Sequence, residues 1–173
     1  MASINSIWTN ALLSAHQFQG ISNDCGPYCA AIVLTVLGDK TEADTLAQQM
    51  NKPKWNNGFP VIRRIPNWAT FPWGLVDIFK SRGFEANWKL FVSKVELMRL
   101  LGDGEYLIVF IGNLIPLWAH SLILISFDDN KGVGFVDPAL ELKEIHWISE
   151  RNFINHWSVL GRTVLTIKHP DRN

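Results

Sequence analysis

Asn23-Asp24-Cys25-Gly26-Pro27-Tyr28-Cys29, followed at once by Ala30-Ala31-Ile32-Val33-Leu34-Thr35-Val36-Leu37, decides how the rest of the chain is read. A polar turn gives way to a run that is apolar nearly all round, which predicts a helix buried in the middle of the domain. A cysteine in the first turn of such a helix sits among backbone N–H groups without partners, and these favour the thiolate over the thiol. Gly26 lets another backbone come close, and Pro27 fits the first turn without forfeiting a hydrogen bond. The same cysteine also reads as a small buried hydrophobe. The stretch alone leaves both readings open.

The 173 residues suit one domain, 1–173, long enough to bury a core without staples. Sixteen acidic residues balance sixteen basic ones, so no global charge draws the chain to nucleic acid or an anionic membrane. Arg63-Arg64 is only a pair. Apolar runs such as Tyr106–Ile111 and Leu122–Ile125 are strand-sized and far short of a membrane span. Met1-Ala2-Ser3-Ile4-Asn5 lacks the charged start and apolar core of a secretory signal, so the expectation is a soluble, cytoplasmic protein. Two cysteines four apart make no disulfide framework, and five scattered histidines make no zinc signature. Reduced thiols and no metal or organic cofactor are expected. Eight tryptophans is a rich count; Trp55, Trp68 and Trp73 lie in Pro/Asn/Gly company, where they line a groove or pack under a loop.

Residues 1–24 read as a short helix or arm leading into a loop. After the buried helix, which Gly38-Asp39 ends, Thr41 is the expected N-cap of a second helix with Leu46 and Met50 inward. Residues 51–72, with four prolines, read as a long irregular connection. Leu75, Ile78 and Phe79 have helical spacing, and Ser93-Lys94-Val95-Glu96 is a capping box. The second half changes period: Glu105–Gly112, Ala119–Phe127, Gly132–Asp137, Leu142–Ile148 and Arg162–Lys168 are β-rich, with Asp128–Gly132 as a hairpin turn. Ser149–Leu160 reads as an amphipathic helix. Helices first and strands second predict an α+β fold, a helical lobe packed on an antiparallel sheet.

A cysteine nucleophile needs a base, a group to orient that base, and donors for the oxyanion. His120 stands early in the apolar strand Trp118–Ile125, where an imidazole has either a buried partner or a catalytic task. Asp137 ends the next strand before Pro138; across the hairpin it falls at the same open end as His120, although a strand-end turn explains it equally well. Gln19 and Gln17 both present an amide, and either, with the Cys25 N–H, would make an oxyanion hole, although each taken alone reads more simply as a solvated loop glutamine.

In this order and spacing, Gln19, Asp24-Cys25-Gly26 with Cys29, His120, and Asp137-Pro138 resemble the papain-like cysteine peptidases. They are most similar to the bacteriocin-processing peptidases that remove double-glycine leaders, and to their free-standing relatives. The resemblance runs from about Gln17 to the end, because Trp147-Ile148-Ser149-Glu150 with Phe153 and Trp157 resembles the family's closing helix and strand. It implies a papain-like fold, with Cys25 as nucleophile, His120 as general base and acid, Asp137 as orienter and Gln19 as oxyanion donor. It gives Cys29 a packing role, and Asp24 no catalytic one. Transporter-linked members follow this domain with membrane helices and a nucleotide-binding domain, which these residues do not include.

The function expected on that basis is thiol hydrolysis of a peptide or isopeptide bond in a peptide or protein substrate. Acyl transfer from the same thioester, and a non-catalytic peptide-binding module on the same fold, are the alternatives. The sequence leaves substrate and oligomeric state open.

Overall fold

The computed structural model describes residues 3–171. In chain order its elements are β1 (Ile4–Asn5), α1 (Thr9–Ser14), α2 (Cys25–Val36), α3 (Ala43–Asn51), β2 (Lys54–Asn56), β3 (Phe59–Val61), β4 (Arg64–Ile65), β5 (Ala69–Thr70), α4 (Pro72–Lys80), β6 (Ala86–Lys89), α5 (Lys94–Gly102), β7 (Tyr106–Leu114), β8 (Leu117–Asp128), β9 (Gly132–Val136), β10 (His146–Ile148), α6 (Glu150–Val159) and β11 (Val164–Ile167). The main sheet is antiparallel throughout, in the order β10-β9-β8-β7-β11-β6, with β1 added beside the end of β8. This is the α+β class that the change of period predicts.

Side-chain alternation along β7 and β8 divides the interior in two. Ile108, Phe110, Ile123 and Ile125 face a core built with α1–α4, whose centre is the fully buried stretch Cys29–Leu34. Leu107, Val109, Ile111, Leu122 and Leu124 face the other way, onto Leu97, Leu100 and Leu101 of α5 and Phe153 and Trp157 of α6. Helices therefore cover both faces of the sheet: the expected helical lobe on one, and α5 and α6 on the other. The reason is local: α5 and α6 each carry one apolar stripe, and only the second face of the sheet is left to bury it.

Three details depart from the sequence reading. Residues 51–72 are not irregular but form two small antiparallel ribbons, β2-β3 and β4-β5, whose turns use positive φ at Asn57, Gly58 and Asn67. Thr41 is not an N-cap; its hydroxyl and N–H both bond to Asp39, and α3 starts after Glu42. Only His146–Ile148 of the predicted strand Leu142–Ile148 is extended. The Ser93 capping bond from Glu96 N–H and the Asp128 turn, closed by the Asn130 and Lys131 N–H groups, form as their residues dictate.

Candidate active site

Cys25 is the first residue of α2, and β8 passes beside that helix end. The Ser121 N–H of β8 donates to Cys25 Sγ at 3.3 Å, and the Cys29 thiol, one turn further along α2, donates to the Ser121 carbonyl at 3.3 Å. The β8–β9 ladder begins only at Ile123 opposite Val136, so Ser121 lies just beyond it, and the two sulfurs occupy the polar groups of its backbone. Cys29 is thus more than a packing residue. Burial, reinforced by the charges of Cys25 and Asp137, pushes its thiol well above the ordinary range, which keeps the S–H donor in place.

His120 is the neighbour of Ser121 on β8. Its Nε2 lies 2.7 Å from Asp137 Oδ1, which leaves Nδ1 as the ring nitrogen for the thiol. Burial raises the Cys25 thiol, but hydrogen bonding and charge from His120, together with Ser121, outweigh it and leave Cys25 below its ordinary value. Burial likewise lowers His120, yet hydrogen bonds to Asp137 and Cys25, and the charges of both, carry it from 6.5 to about 9. For Asp137, burial acts upward; hydrogen bonds from His120 and His146 overcome it and hold the carboxyl well below the usual range. A lowered thiol, a raised imidazole and a lowered carboxyl in contact form an arrangement that favours proton transfer from sulfur to imidazole.

Asp137 is 5% exposed and accepts more than one imidazole. His146 Nδ1 lies 2.8 Å from Oδ2, and the Ala139 N–H donates to Oδ1 at 2.9 Å. Buried His16 donates from Nε2 to the Asp137 carbonyl at 3.1 Å, and the Gln19 N–H donates to the Pro138 carbonyl at 2.8 Å. The arm before α2 is thereby fastened to the segment that carries Asp137. The Gln19 side-chain amide itself donates to the Ser22 carbonyl at 2.8 Å rather than to Cys25, and its Oε1 is buried without a protein partner.

The β4-β5 ribbon lies against the start of α2. A Cβ on Gly26 would come within 2.7 Å of Thr70 Cβ, so what approaches Gly26 is a side chain, not the backbone that the sequence suggests. Arg64, almost fully buried, pairs with Asp24 and with Asn51 Oδ1. Asp24 therefore makes no side-chain cap at the helix it precedes. Asn23 Nδ2 reaches the Asn67 carbonyl at 2.9 Å. Trp55 and Trp68 stand exposed on the ribbons, and Trp73 stacks on Phe71, so the first two are not loop packing.

The structure brings Cys25, His120 and Asp137 together. Sequence reasoning missed His16, Arg64 and His146; the first two meet their partners across 121 and 40 positions, and His146 meets Asp137 across nine. No group of three or more metal-ligating side chains gathers among the described residues, and no helix among them is long and apolar enough to cross a membrane.

The fold so described is that of the C39 peptidases. A Bacillus anthracis protein described as a C39-like peptidase matches over 97% of this chain and 98% of its own, with a TM-score of 0.73 at 15% identity. The peptidase domain of Streptococcus ComA, a bi-functional ABC transporter involved in a quorum-sensing pathway, matches over 83% of this chain and 90% of its own, with a TM-score of 0.55 at 19% identity. No protein-family model matches the sequence, and no curated protein matches it.

Proposed function

We propose that residues 1–173 form one cysteine peptidase domain that cleaves a peptide or isopeptide bond. The observation that carries the reading is the contact of Cys25, His120 and Asp137 across the junction of α2 and the sheet. The description of both structural neighbours as peptidases supports it. The Cys25 thiolate attacks the carbonyl carbon, and the oxyanion is met by the Cys25 N–H and by the Gln19 Nε2 hydrogen not given to Ser22. His120 then protonates the leaving amine, which leaves a thioester on Cys25 and a neutral imidazole. That imidazole takes a proton from water, hydroxide adds to the thioester, and the product acid leaves as Cys25 recovers its thiolate. Asp137 holds His120 in the tautomer that presents Nδ1. Both cysteines are free, which fits a reducing compartment such as the cytoplasm.

The test is rapid alkylation of the folded protein by iodoacetamide near neutral pH, with the adduct located by peptide mapping. Labelling at Cys25, slowed markedly in His120→Ala, supports the reading; equal and slow labelling of both cysteines refutes it. Digestion of a random peptide library then tests turnover. Gln19→Ala lowers it by ~10²–10³ while Gln17→Ala leaves it near the wild type, and the reverse result moves the oxyanion role to Gln17.

A further inference from the structure

Asp137 faces two imidazoles, and only one of them belongs to the proposed chemistry. Oδ1 takes His120 Nε2 and the Ala139 N–H, whereas the hydrogen bond to Oδ2 comes from His146 Nδ1 at 2.8 Å. A carboxylate held through one oxygen can still turn about its Cβ–Cγ bond, because that torsion is soft. A second donor on the opposite oxygen fixes the plane. We propose that His146 is a positioning residue for the thiol site, orienting Asp137 through Oδ2 so that Oδ1 meets His120. The proposal rests on the peptidase reading above and assigns His146 no contact with substrate.

The sheet is what delivers His146. Strand β10 pairs with β9, with His146 opposite Phe135, two residues before Asp137. The segment between them leaves the strand at Pro138 and returns in time to set the ring against the carboxylate. An ionised carboxylate only accepts, so the hydrogen in this bond is on Nδ1 of His146. Lysine or arginine on Oδ2 would compete with the His120 imidazolium for the charge of Asp137, whereas an imidazole N–H orients the carboxylate and leaves most of its field for His120. With 34% of its side chain exposed, His146 adds little to the core, which separates its effect on the site from an effect on folding.

The experiment compares wild type, His146→Ala and His146→Asn in iodoacetamide alkylation of Cys25 from about pH 5 to about pH 9, with thermal melts alongside. Asparagine places a neutral N–H donor close to where Nδ1 stood. In His146→Ala, alkylation at neutral pH falls about tenfold, the loss of one charge-assisted hydrogen bond, and its midpoint moves to higher pH. His146→Asn restores both rate and midpoint. An unchanged rate and profile in His146→Ala overturns the proposal, as does an equal loss in both variants at native melting temperature, which assigns the effect to the ring and not to its donor. Nitrogen-15 NMR of the wild-type imidazoles keeps the test decisive if a variant does not fold: protonated Nδ1 at His146 supports the proposal, and a neutral ring protonated only at Nε2 overturns it. Slow alkylation of wild-type Cys25 defeats the peptidase reading itself, a result distinct from any difference between the His146 variants.

Discussion

Asp137→Asn is the perturbation that reports most directly on how the thiolate is formed. Against the downward pull of burial the environment carries His120 from 6.5 to about 9, and at 1.36 kcal/mol per pH unit that net gain is about 3 kcal/mol, a factor of roughly 10²–10³ in the imidazolium population. Asp137 supplies both a hydrogen bond and a charge to that gain; Cys25 supplies the rest. Asparagine keeps the shape but removes the charge, so the expected fall in Cys25 alkylation at neutral pH is between about tenfold and about 10²-fold. The sign in pH follows from the two limbs. The thiolate–imidazolium pair exists above the lowered Cys25 value and below about 9. In the variant His120 titrates lower, Cys25 loses its cation, and the alkylation midpoint moves upward while the peptidase optimum narrows from both sides. Stability changes in step. The stabilisation from a raised histidine is complete below 6.5 and lost as pH rises through about 9, and this dependence flattens in Asp137→Asn. That from the depressed carboxyl, present above 3.8 and lost on acidification through its lower folded value, disappears. Quenched alkylation followed by intact mass, with urea melts at pH 6 and pH 9.5, measures both quantities. Identical midpoints and identical pH-dependence of stability in wild type and variant would refute the reasoning.

Three further substitutions probe the surroundings. Arg64→Met strands Asp24 beside the nucleophile; it costs about 3 kcal/mol in a urea melt and raises the alkylation midpoint of Cys25, and adding Asp24→Asn reverses part of each. Gly26→Ala drives a methyl into Thr70 and costs about 1–3 kcal/mol, which Thr70→Gly relieves in the double variant. Trp157→Ala empties a buried site in the core behind the sheet, where the indole also donates to the Thr163 carbonyl at 2.8 Å. It lowers stability by about 3–5 kcal/mol while leaving alkylation of Cys25 at low temperature unchanged, since the thiol lies on the opposite face.

What the sequence made legible follows the range of the interactions. The buried run after Cys25, the Ser93 half of the capping box and the Asp128 turn rest on residues within a few positions of one another, and each forms as read, while the Glu96 carboxylate pairs with Lys89. His120 and Asp137 are seventeen apart, yet one hairpin turn between them made their meeting at one end derivable. His146 meets Asp137 through a strand whose register depends on a loop without a signature. Arg64 meets Asp24 across forty positions and through a ribbon that four prolines and several asparagines disguised as an irregular connection. Thr41 failed as a cap because α3 starts one residue later than expected, with Glu42 at the cap position, while Thr41 donates back to Asp39. The placement of α5 and α6 on the far face is similarly non-local: their stripes say that they bury something, not which side of the sheet they bury it on.

The peptide unit of Ser121 holds a sulfur at each end, one accepting and one donating. Its amide hydrogen is therefore shielded from solvent by a side chain capable of changing charge, not by a neighbouring strand. Deuterium uptake at that single position becomes a gauge of the Cys25 sulfur. It is slowest with the thiolate in place, faster once the thiolate takes a proton and becomes a poorer acceptor, and fastest after alkylation removes the acceptor. The amides of Leu122 and Ile123, held by the sheet, serve as internal controls. The protonation state of the proposed nucleophile can then be followed in the resting protein, with no substrate in hand.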